Sequence, residues 1–261
     1  MENLRKYGQE PFKVAVIHGG PGAPGELAPV ARELSSDMGV LEPLQTAKTI
    51  EGQVQELKTI LERAGAIPII LVGFSWGAWL SFIFAAQYPA LVRELILVGS
   101  GGFEEKYAVN IMETRLSRLS EKERAEVLLL MEDLENVDIA DKNVRLARFG
   151  ELIFKADSYN PSTYNSEGLE CQYDIYQSVW EQAAELRSSG KLLELGSKIQ
   201  CPVVAIHGDY DPHPSEGVKD PLSHTLKDFR FILLEKCGHH PWFELSVRDQ
   251  FYRVLKTEIG V

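Results

Sequence analysis

One serine, two aspartates and two histidines stand at turns of this chain where together they can run acyl transfer. Ser75 lies in Gly73-Phe74-Ser75-Trp76-Gly77, between the β-rich apolar run Pro68 to Val72 and the apolar, helix-forming run Ala78 to Ile83. A chain that reverses from strand to helix around one serine holds that residue in a strained backbone conformation and exposes its hydroxyl at the sheet edge. Glycines at Gly73 and Gly77 fit a crossing too close for a Cβ. A serine hydroxyl is a weak nucleophile, so it needs a histidine base, and the histidine needs a carboxylate to orient it. Asp209 and Asp211 follow one strand-like run, and His239 and His240 follow the next. The order serine, acid, histidine is therefore present, with two candidates for each of the last two places.

The elements that must position these groups are legible from periodicity. Strand-like runs at Phe12 to His18, Met38 to Leu41, Ile67 to Phe74, Leu95 to Val98, Cys201 to His207 and Phe231 to Leu234 alternate with helical ones. The helical stretches are Glu26 to Ser36, a helix capped by Thr49, Trp76 to Gln87, and a final one from Trp242 to Lys256. That alternation predicts an α/β fold with a mostly parallel, doubly wound sheet. Residues 103–198 read differently: charged helices over Leu116 to Leu134, Val144 to Phe154 and Cys171 to Leu186, with no central strand. They predict a helical cap inserted between core strands, leaving a core of 1–102 and 199–261 and shaping a pocket at the carboxyl edge of the sheet.

Composition narrows the partners. The 261 residues carry a formal net charge of −11, with 44% hydrophobic and 25% charged residues, as in an ordinary globular protein. Such a charge argues against nucleic acid and anionic membranes as partners and leaves a small-molecule substrate, with oligomeric state open. Three scattered cysteines and an opening Met1 to Lys6 without an apolar segment lead us to expect a cytoplasmic protein with no disulfide framework. His207, Asp209, Asp211, His213 and the two later histidines cluster in sequence, yet no helical i, i+4 histidine pair occurs. No metal and no cofactor are expected.

Taken together, the elbow, the His207-Gly208-Asp209-Tyr210-Asp211 loop and Gly238-His239-His240-Pro241 resemble the α/β-hydrolase fold, over roughly residues 12–102 and 200–258. His18-Gly19-Gly20-Pro21-Gly22 and the tryptophan in the elbow are similar to the proline iminopeptidase-like branch. The resemblance implies that the acid is Asp211, three residues after the glycine of the His-Gly pair, and the base His239, directly after Gly238. Asp209 is then a turn residue. The backbone N–H of Trp76 and of Gly20 would form the oxyanion hole, since Pro21 has none to give. His18 and His207 read as buried braces, Trp79 as core, and Phe74, Trp76, Trp79, Phe103 and Trp180 as candidates for an apolar pocket. In that branch acidic cap residues receive a substrate amine, and this cap offers Glu104, Glu105, Glu167, Glu170 and Asp174. Two departures stand out: Gly39 to Thr46 lacks the branch's arginine and glycines, and residues 1–11 leave little room for extra antiparallel strands. The implied activity is a metal-independent serine hydrolase for a small ester or amide. Lyase, carbon–carbon hydrolase or peroxidase-type chemistry, or a ligand receptor, are the alternatives on the same fold.

Overall fold

Alternate residues of a strand face opposite sides of its sheet, so strands buried on both faces must be apolar throughout. In β2 (Phe12–Ile17), Val14 and Val16 join one core cluster while Ala15 and Ile17 join the other. In β4 (Gly65–Phe74), Ile70, Val72 and Phe74 take the first face, and Ile69 and Leu71 the second. This is the doubly wound α/β arrangement the periodicity predicts. Burying each such side chain contributes roughly 1.5–3 kcal/mol before the ordering entropy is counted.

The computed structural model describes residues 3–162 and 170–261. Its seven strands are completed by β1 (Leu4–Tyr7), β3 (Gly39–Pro43), β5 (Val92–Val98), β6 (Val203–Gly208) and β7 (Phe229–Leu234), in the order β1-β3-β2-β4-β5-β6-β7. All neighbours are parallel except β1 and β3. The short N-terminal segment thus does supply one antiparallel edge strand, because four residues suffice to pair Leu4 with Pro43 through Tyr7 with Val40.

One face carries α1 (Ala28–Leu34) and α10 (Arg248–Ile259); the other carries α2 (Ile50–Ala64), α3 (Trp76–Gln87) and α9 (Glu216–Thr225). Thr49 caps α2, its hydroxyl accepting from the Gly52 N–H at 3.0 Å. Every residue of α3 from Trp76 to Ala86 is buried, which explains its apolarity all round. The C-terminal helix starts later than Trp242. A short 3₁₀ turn at Pro241–Phe243 comes first, because the Glu244 carboxylate is committed to the backbone N–H groups of Gly238, Tyr159 and Asn160.

Between β5 and β6 the chain is helical: α4 (Ile111–Ser117), α5 (Glu121–Glu135), α6 (Lys142–Asp157), α7 (Tyr173–Ser188) and α8 (Lys191–Glu194). The single helix expected over Leu116 to Leu134 is two, because Ser120 starts a capping box with Glu123. The segment also divides energetically. Helices α4 to α6 have small clusters of their own around Leu119, Val127, Leu130 and Leu152. Ile175, Val179 and Ala183 of α7 and Leu192 of α8 instead belong to the main core.

Candidate active site

Ser75 sits between β4 and α3 with φ 52° and ψ −114°, a region an L-residue enters only when its surroundings force it, at about 1–3 kcal/mol. The forcing contacts are backbone to backbone. A Cβ on Gly73 would lie 2.3 Å from the Gly77 carbonyl, and one on Gly77 would lie 2.2 Å from the carbonyl of Ile17. Gly77, in α3, is therefore required by the backbone at the end of β2, not by β4. The Ser75 N–H donates to the Val98 carbonyl at 3.0 Å, fixing the turn to β5.

The loops after β6 and β7 meet beside this turn. His239 Nδ1 lies 2.6 Å from Asp211 Oδ2. An ionised carboxylate only accepts, so Nδ1 carries the proton and Nε2 is left as the ring's acceptor. Burial would push the Asp211 carboxyl up, but the facing His239, His213 and His207 hold it well below its ordinary value. For His239 burial works against charging, and the Asp211 charge and hydrogen bond outweigh it, so its pKa is raised above 6.5. Ser75, His239 and Gly20 line one cavity of about 620 Å³. Trp76 opens α3, so its N–H is among those a helix cannot use internally.

Sequence left two alternatives, and the structure separates them by partner. Asp209 Oδ1 accepts from the Cys237 N–H at 3.1 Å, tying one loop to the other. His240 turns away from Asp211, between the rings of Phe74 and Phe154, with Nε2 3.8 Å from Glu26 Oε2. His18 is fully buried and bonded to the Gly19 carbonyl, and burial lowers its pKa. His207 Nε2 donates to the His213 carbonyl at 2.8 Å. Of the expected aromatic residues, Phe74, Trp76, Trp79 and Trp180 reach the cavity walls, whereas Phe103 packs on Phe82 in the core. Trp79 does both, since it is buried yet forms part of a wall. Glu170 lines the cavity, Glu104, Glu105 and Asp174 do not, and Glu167 lies outside the described residues.

Sequence reading missed the role of His213. Its Nδ1 is 2.7 Å from Asp211 Oδ1, so one carboxylate holds two imidazoles, whose ring centres are 4.7 Å apart. Burial lowers its pKa to about 4, despite Asp211, leaving it neutral at pH 7. Donor atoms of Asp211, His213 and His239 lie within 4.8 Å of one another, a spread a metal ion could span. Here each carboxylate oxygen already accepts an imidazole N–H, and a metal would have to displace both bonds.

The His239 loop is braced on every side. The His239 N–H donates to the Asp157 carbonyl at 2.9 Å, and a Cβ on Gly238 would lie 2.2 Å from that same oxygen. Asp157 in turn holds Arg115 of α4 in a two-point ion pair of 2.8 and 2.7 Å. Arg118 stacks over Tyr210 at 3.7 Å, closing the helices onto the Asp211 loop. A second, smaller lobe of about 180 Å³ opens from Ser75, lined by Trp79 and Trp180, which stack in parallel at 6.1 Å.

The alpha/beta hydrolase fold family matches residues 43–244. A proline iminopeptidase of Saccharolobus solfataricus is 23% identical over 274 aligned residues, covering 94% of this chain and 84% of that one. A monoacylglycerol lipase, ABHD6 of Bos taurus, is 25% identical over 201, covering 73% of this chain and 56% of that one. Among solved structures, VinJ superposes with a TM-score of 0.68 at 18% identity, over 98% of this chain and 93% of that one.

Proposed function

We propose, from the premise that this chain belongs to the alpha/beta hydrolase fold family, that it is a serine hydrolase of small esters or amides. The observation that carries this reading is Ser75 at positive φ, sharing a cavity with His239, whose Nδ1 is 2.6 Å from a buried Asp211. The names of its relatives, an iminopeptidase and a lipase, span amide and ester substrates. Ser75 attacks the carbonyl carbon while His239 Nε2 takes the hydroxyl proton, and Asp211 keeps the ring in that tautomer. The N–H groups of Gly20 and Trp76 stabilise the oxyanion. The imidazolium returns its proton to the leaving group, and water then clears the acyl-enzyme by the same relay. No group beyond the protein is needed for these steps, and α4 to α7 form the cap that shapes the pocket. The three cysteines are free thiols, in keeping with a reducing, cytoplasmic setting. No described helix is long and apolar enough to cross a membrane.

A fluorophosphonate probe should label Ser75, and Ser75→Ala should abolish labelling and lower kcat on p-nitrophenyl esters by about 10⁴-fold or more. A variant that keeps wild-type turnover overturns the reading.

A further inference from the structure

The two lobes that open from Ser75 differ in charge. Glu26, Glu151, Asp157 and Glu170 line the larger lobe. Among the described residues the smaller has no carboxylate in its lining; it has Arg187 beside Trp79 and Trp180, and Arg115, which borders both lobes. Neither arginine is fully used by the fold. Arg115 spends Nε and Nη2 on Asp157, and its Nη1 has no partner among the described residues. Arg187 gives only Nε, at 2.8 Å, to Glu105, whose side chain is 53% exposed and so screened by water. The guanidinium lies over the Trp79 ring at 5.5 Å, but its two terminal nitrogens have no hydrogen-bond partner among the described residues, although the side chain is only 12% exposed. Guanidinium donors withdrawn from bulk water and left open to a cavity are costly unless a ligand or ordered water takes them. Each arginine is also ion-paired, Arg115 to Asp157 and Arg187 to Glu105, so what the lobe offers beside the nucleophile is open N–H donors rather than net charge.

We propose that this lobe recognises an anion: the half of the substrate that enters it ends in a carboxylate, held by the free nitrogens of Arg115 and Arg187. The open Nη1–Nη2 edge of Arg187 matches the two oxygens of a carboxylate, and Arg115 adds the single donor Nη1. The stacked tryptophans bind the short apolar or aromatic spacer between that carboxylate and the scissile carbonyl. The 180 Å³ volume limits the spacer to a few carbons or one ring. His213, also in the wall, is neutral and adds no charge. The proposal rests on the serine hydrolase reading and goes beyond it by naming a substrate class.

Two matched ester pairs test it, one with the carboxylate on the acyl side and one with it on the alcohol side. They are p-nitrophenyl hemiglutarate, and the acetate of p-hydroxyphenylpropionate, each against the ester in which isopropyl replaces the carboxylate. In one pair the anionic ester should exceed its neutral partner in kcat/KM by about tenfold or more, the scale of a hydrogen bond to a charged group. Arg187→Met keeps the stem over Trp79 and removes the charge, and should cut that ratio to below about threefold. Arg187→Lys should retain part of it. If the neutral esters are hydrolysed but neither carboxylate confers an advantage, or the advantage survives Arg187→Met, the proposal is overturned and the hydrolase reading stands. If no ester is turned over and Ser75 is unlabelled, the hydrolase reading itself has failed.

Discussion

The cleft has two walls built on different physics. On the sheet side, Ser75, Asp211 and His239 are held by backbone crowding at Gly73, Gly77 and Gly238 and by buried hydrogen bonds. On the helical side α7 docks apolar residues into the main core and Arg115 is held by buried Asp157, but Arg187 and Ser178 are tied down by contacts with water access, to Glu105 and to the Lys48 carbonyl. Removing a buried partner costs its full desolvation, whereas an exposed pair contributes little. The sheet wall is therefore fixed by buried contacts, whereas the outer contacts of the helical wall can be changed without loss of the fold.

The largest test of that contrast is Asp211→Asn. The amide cannot hold the His239 tautomer or stabilise its charge, so kcat should fall by about 10³–10⁴-fold in ester hydrolysis. The same variant tests the electrostatics. The base must be neutral to accept a proton, so kcat/KM rises as pH passes the His239 pKa, and its acid limb should centre above 6.5. Removing the Asp211 charge lowers that pKa, so the residual activity of Asp211→Asn should have its acid limb at lower pH. A limb that does not move would detach Asp211 from the base.

Glu244→Ala comes next. It strips the acceptor from three backbone N–H groups, those of Gly238, Tyr159 and Asn160, and should lower unfolding free energy by about 3 kcal/mol or more in urea melts. A near-neutral result would show that the His239 loop is braced from elsewhere. Ser178→Ala should be the mildest. It breaks a 2.7 Å bond from α7 to the Lys48 carbonyl at an exposed site, and we expect less than about 1 kcal/mol and unchanged kcat with neutral esters. A loss as large as that of Glu244→Ala would erase the difference between the walls.

Much of the sheet wall was legible before the structure. The limits of α3 at Trp76 and Gln87, the Thr49 cap and the alternation in β2 and β4 are short-range features, recorded in neighbouring residues. The helical wall was legible only as helices. Its division at Ser120 has a local signal in the Ser120–Glu123 capping box, whereas the docking of α7 into the main core has no signature in α7 alone. Trp180 was legible as a candidate for an apolar pocket, but Arg115 and Arg187 carried no signal of their place in one, because a helix face becomes a pocket wall only when another element covers it.

By itself the sequence determined that a strained serine would stand at a strand-to-helix turn, with an acid and a histidine following in loops at the same sheet edge. Turn chemistry and strand periodicity are local, and parallel strands send their following loops to one edge. Only the tertiary structure decided that Asp211 faces His239 while Asp209 ties the loops, that His213 shares the carboxylate, and that two arginines meet over one lobe. Those choices depend on distances of a few ångströms between segments far apart in the chain, which packing sets and residue order does not record.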